Sequence, residues 1–216
     1  MRAPFLSEWF EYETGHAWCE SAYKYQTHPY VAEFANTVTN LPIIVLPLVN
    51  LMLLKKYLKE VLRKKMNRLL IRGIILVATG VLSALCFWEP NLNAVALMLF
   101  SVPASFVIIY EGRHCALPEV ETFPKRSLTL WGIGFGCWFA DRLFCDFWLW
   151  IGTPYLHALF HLLAGLAGYT VFVMFSIIDI EARAKEHRFT AAVKYFPSKS
   201  SSIFAFPYIS LKERYA

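Results

Sequence analysis

A chain of 216 residues that is 57% hydrophobic and 17% aromatic carries far more apolar side chain than a soluble domain needs. Its formal net charge of +5 is gathered into a few loops, which points to membrane topology and an anionic leaflet and away from nucleic-acid binding. The expected fold class is all-α, a polytopic transmembrane helical bundle of about five spans.

In chain order, the expected domains are an N-terminal segment (1–37), a membrane domain (38–178) and a basic tail (179–216). Met1–Thr37 holds two basic and five acidic residues. The first apolar block begins only near residue 38 and lacks a positively charged start, so no cleavable signal is expected. That block is Val38–Leu54. The run Lys55–Arg68 (KKYLKEVLRKKMNR) follows, with seven basic residues and one acid, and reads as a solvated loop that sets topology. Blocks Leu69–Trp88, Asn93–Tyr110, Leu128–Cys145 and Tyr155–Ile178 come next. All five blocks are 17 to 24 residues long, enough to cross a hydrocarbon core of about 30 Å as a helix. The connections near Glu89 and Asp146 are acidic, whereas the tail from Asp179 has seven basic and four acidic residues. Positive loops stay in the cytosol, so the N-terminus is expected in the lumen or outside and the C-terminus in the cytosol. Five spans satisfy that parity.

Within the last block, His157 and His161 lie one helical turn apart. Ionisable groups at membrane depth are costly and mark function by default. The i, i+4 spacing places both imidazoles on one helix face, as a pair of zinc ligands requires. The same residues could instead hydrogen-bond to neighbouring spans. Five cysteines without a CxxC pair argue against a thiolate zinc site. Cys19 and Cys145 both fall on the translocated, oxidising side, where a disulfide can form. Cys115 and Cys137 read as packing residues. Asp141-Arg142 reads as a neutralised pair capping a span, Glu20 and Glu33 as solvated acids, and Gly165 and Gly168 with Ala164 and Ala167 as close helix packing.

Several strings go further. Trp18-Cys19-Glu20 and Ala32-Glu33-Phe34-Ala35-Asn36-Thr37-Val38-Thr39-Asn40 resemble the N-terminal signature of the alkaline ceramidases. Phe139-Ala140-Asp141-Arg142-Leu143-Phe144-Cys145 and Tyr155-Leu156-His157-Ala158-Leu159-Phe160-His161 resemble later parts of that family, and Val193-Lys194-Tyr195-Phe196-Pro197 and Pro207-Tyr208-Ile209-Ser210-Leu211 resemble its end. The strings run in the family's order over nearly the whole chain. The resemblance implies a seven-span hydrolase of the endoplasmic reticulum or Golgi membrane that cuts the amide of ceramide to sphingosine and a fatty acid. It also implies a zinc held by three histidines, of which His157 and His161 would be two, with a serine and an aspartate beside it. A calcium ion would be held by the N-terminal segment through the Trp18 carbonyl, Glu20 and Glu33. An amide carbonyl is a poor electrophile, and a zinc-activated water with an oxyanion donor lowers that barrier.

Part of the family pattern is missing. Its second and third spans carry G-x-G-S-x-x-F-H followed by L-D-E, which supplies the serine, the first zinc histidine and the aspartate. The nearest string here, Ser83-Ala84-Leu85-Cys86-Phe87-Trp88, offers no histidine, and Phe87-Trp88-Glu89-Pro90-Asn91-Leu92-Asn93 aligns better with a later junction. No catalytic residue is identified in this chain. Roughly two helices, about 50–60 residues, are absent after Leu54. Loss of two helices preserves inside–outside parity. The calcium segment is depleted as well, with Ala17 and Ala22 where the family carries an aspartate and an asparagine, and calcium wants six to eight oxygens. The expectation is a ceramidase-like membrane protein with reduced or no hydrolysis, or a non-catalytic form that binds ceramide or a full-length paralogue.

Overall fold

The computed structural model describes residues 19–20, 34–62, 67–88, 91–115, 117–185, 187–197 and 204–213. All five apolar blocks are helical. They are α2 (Leu41–Leu53), α4 (Asn67–Trp88), α5 (Asn91–His114), α7 (Phe123–Leu143) and α9 (Leu156–Ala182). Short helices α1 (Phe34–Thr39), α3 (Lys55–Leu62), α6 (Pro118–Glu121) and α8 (Cys145–Trp150) join or flank them. Prolines punctuate the starts where a missing N–H costs nothing, as at Pro42 in α2 and Pro124 in α7.

Helix α9 is the axis of the molecule. It packs most extensively on α7, then on α2 and α1, and its far end meets a β-hairpin. A Cβ on Gly165 would lie 2.9 Å from Ile43 Cγ1, so the bare glycine lets α2 settle against α9. Gly168, by contrast, is exposed, and a Cβ there would meet nothing within 4 Å, which removes it from the expected packing stripe. Antiparallel to α9, α7 is pinned by Ser127 Oγ donating to the Ala167 carbonyl at 3.1 Å.

Among the described residues, two helical runs, Phe34–Leu53 and Leu156–Ala182, are long and apolar enough to cross a membrane. Their surroundings differ. The first is 11% buried over its most apolar window and the second 56%. Helix α2 exposes Ile44, Leu48 and Met52, α4 exposes Leu76 and Val77, and α5 exposes Leu99 and Phe106. Apolar faces of that extent would aggregate in water and suit a lipid surround.

The tail departs from expectation. Instead of a loose basic segment, it forms β1 (Phe189–Phe196) and β2 (Phe206–Glu213), paired antiparallel with Phe189 opposite Glu213 and Val193 opposite Ile209. The all-α class therefore needs a two-stranded addition. Period-two alternation sends Pro207 and Ile209 inward, where Ile209 joins Ile177, Ile180 and Phe189 in the main core cluster. The expected solvated loop is corrected too. Its first half is the amphipathic helix α3, whose Tyr57 and Val61 are buried in the same cluster while Lys55, Lys56 and Lys59 face outward. Tyr57 donates from its hydroxyl to Asp179 Oδ2 at 2.5 Å, tying α3, just past the end of α2, to the end of α9.

Candidate metal centre

His157 and His161 sit in the first two turns of α9, just after the Pro154 turn. The helix repeat stacks their rings on one face, with centroids 4.6 Å apart and planes nearly perpendicular. Their Nε2 atoms converge to 2.9 Å. Two nitrogens sharing one tetrahedral zinc at ordinary bond lengths stand about 3.3 Å apart. The pair is thus close to the spacing for one ion, and His157 is buried while His161 is half-buried. Phe160 lies against both rings and continues an aromatic run through Trp131 and Phe135 on α7.

Catalytic zinc normally takes three protein ligands and leaves one position open. Among the described residues no group of three or more His, Cys, Asp or Glu side chains could hold a metal ion. The described residues fit two positions of a zinc site. No hydrolytic step through a metal follows from such a pair. His114 lies elsewhere, at the end of α5, bonded through Nδ1 to the Tyr110 carbonyl at 2.7 Å. His187 lies beyond the end of α9, whereas His16 and His28 are outside the described residues.

Asp141 has a larger part than a span-capping charge. It is completely buried at the end of α7, and its carboxylate accepts two backbone N–H groups. Cys19 donates to Oδ2 at 3.1 Å and His157 to Oδ1 at 3.3 Å. The second bond satisfies one of the orphan donors in the first turn of α9 and fixes where His157 begins. Cys19 and Cys145 are joined as a disulfide with Cα atoms 5.3 Å apart, beside the same carboxylate. No local pattern signals this role of Asp141, because its partners lie 122 and 16 residues away.

Glu20 is buried as well. Its Oε1 accepts the Ala35 N–H at 2.8 Å and its Oε2 the Asn36 N–H at 3.0 Å, so the carboxylate closes the start of α1. Trp18 and Glu33, the other expected calcium ligands, lie outside the described residues, and Ser83 belongs to α4 with its side chain also outside them.

The sequence matches the family model described as Ceramidase in two overlapping stretches, residues 11–85 and 56–210. It is 56% identical to an alkaline ceramidase of Caenorhabditis briggsae and 54% identical to one of Caenorhabditis elegans, each across 99% of both chains. This chain belongs to the alkaline ceramidase family. A Drosophila melanogaster alkaline ceramidase is 32% identical over 68% of this chain and 51% of its own length. No solved structure matches the chain. The alignment with the Caenorhabditis briggsae ceramidase runs over 270 positions against 216 residues here, so at least 54 of those positions are gaps in this chain.

Proposed function

We propose that this chain is a ceramidase-family membrane protein that keeps the lipid-embedded framework and two imidazole arms of a zinc amidohydrolase, with little or no ceramide hydrolysis of its own. The convergence of His157 and His161 without a third ligand among the described residues carries this reading. The alignment gaps support it, and so does the overlap of the two family matches at residues 56–85, as a break in colinearity after α2 would give. In the complete family form, the bound zinc would supply an activated water at the ceramide amide, with release of sphingosine and a fatty acid.

The reading includes five spans, with the Cys19 end in the lumen of the endoplasmic reticulum or Golgi and the hairpin end in the cytosol. The contacts support this sidedness. Cys19, Asp141, Cys145 and His157 gather at one end of the bundle, and α3, the end of α9 and the hairpin gather at the other. The lysine face of α3 suits the cytosolic leaflet. Calcium binding by Trp18, Glu20 and Glu33 belongs to the family form and is weakened here.

Expression in microsomes with a labelled ceramide at alkaline pH tests the proposal. Background-level sphingosine release is expected, and robust release that a chelator abolishes would falsify it. A second reading makes the chain a non-catalytic binder of ceramide or of a full-length paralogue, favoured by the intact packing of α2, α7 and α9. Co-purification with such a paralogue, undisturbed by His157→Ala, is its expected signature.

A further inference from the structure

We infer that His187 is a proton-sensitive latch between the end of α9 and the start of β1. Its two ring nitrogens face opposite partners. Nε2 lies 2.8 Å from the Ile180 carbonyl in the last turn of α9, and Nδ1 lies 3.0 Å from the Phe189 backbone N–H at the first position of β1. A carbonyl only accepts and an amide N–H only donates, so Nε2 carries the hydrogen and Nδ1 is bare. The latch exists only with a neutral imidazole.

The surroundings hold the ring in that place. From α3, the Tyr57 ring meets it edge-on at a centroid distance of 4.8 Å, and the Tyr57 hydroxyl is engaged by Asp179 of α9. Asp179 in turn pairs with Arg183 at 2.6 Å. On the strand side Arg188 reaches Glu60 of α3 at 3.2 Å, and Glu213 of β2, opposite Phe189 in the ladder, lies 3.9 Å from Lys56 of α3.

A proton on Nδ1 acts on the two bonds differently. The Nε2–H bond to Ile180 survives, because positive charge suits a helix C-terminus. The other bond is lost, since Nδ1–H and the Phe189 N–H then point at each other. Acid therefore leaves α9 capped and strips the Phe189 N–H, at the first position of β1, of its acceptor. Imidazole changes charge in the range that separates resting from acidified cytosol.

Amide hydrogen exchange on the full chain in lipid nanodiscs, corrected for intrinsic rates, reads the event directly. Protection at Phe189 is expected to fall about ten-fold between pH 7.5 and 5.5. His187→Asn should show no such step. Imidazole ¹⁵N shifts of the wild-type chain should report the Nε2–H tautomer at pH 7.5, a measurement independent of how the variant folds. The Nδ1–H tautomer at that pH, a ring that titrates with no change at Phe189, or a step that persists in His187→Asn would each overturn the latch.

Discussion

The two ends of α9 are built in different ways. At the Cys19 end, order comes from a few buried polar groups: Asp141 bracketing Cys19 and His157, Glu20 closing α1, and the histidine pair. At the hairpin end, order comes from close packing, with Val173, Met174 and Ile180 fully buried under α3 and the strands. The polar end depends on partners held far apart in sequence. The packed end is made of contiguous apolar faces and is complete. The two ends therefore respond to different kinds of change.

Variants at each end should separate the two. Asp141→Ala leaves two buried N–H groups without an acceptor and should cost about 2–5 kcal/mol. Thermal unfolding in detergent would show the loss, and hydrogen exchange should place it at the Cys19 end with the hairpin still protected. Ile209→Ala should cost about 2–4 kcal/mol by opening a cavity under the hairpin, with the exchange pattern reversed. If either variant loosens both ends equally, they are one cooperative unit and the contrast fails.

Smaller effects sharpen the picture. Tyr57→Phe removes a hydrogen bond to a carboxylate and should cost roughly 1.5 kcal/mol, read as faster exchange in α3 without change at Asp141. Zinc added to the purified chain should raise the unfolding temperature little, since two imidazoles hold the ion weakly. Elemental analysis should find less than one zinc per chain, and His161→Ala should abolish what there is. Stoichiometric zinc that survives both His157→Ala and His161→Ala would mean that the metal sits elsewhere.

Much of this helical fold is legible in the sequence because long apolar blocks are a strong one-dimensional signal. All five apolar blocks are helices to within a few residues, with α7 starting earlier than Leu128 because Pro124 opens its first turn. The histidine pair is visible from spacing alone. The hairpin is not, since its charges mask the alternation at Pro207, Ile209 and Leu211. Helix α3 is hidden likewise: the seven basic residues of the run Lys55–Arg68 outweigh the apolar face of Tyr57, Leu58 and Val61. The roles of Asp141 and Glu20 rest on contacts that no local pattern records. Gly165 and Gly168 look alike in sequence and differ only in whether Ile43 lies opposite.

The contact at Gly165 reaches beyond packing. Because α2 rests directly on α9, the first and last of the five long helices clasp each other like the two ends of a hoop. A methyl group at Gly165 would therefore have to push Ile43 aside before the two helices could meet.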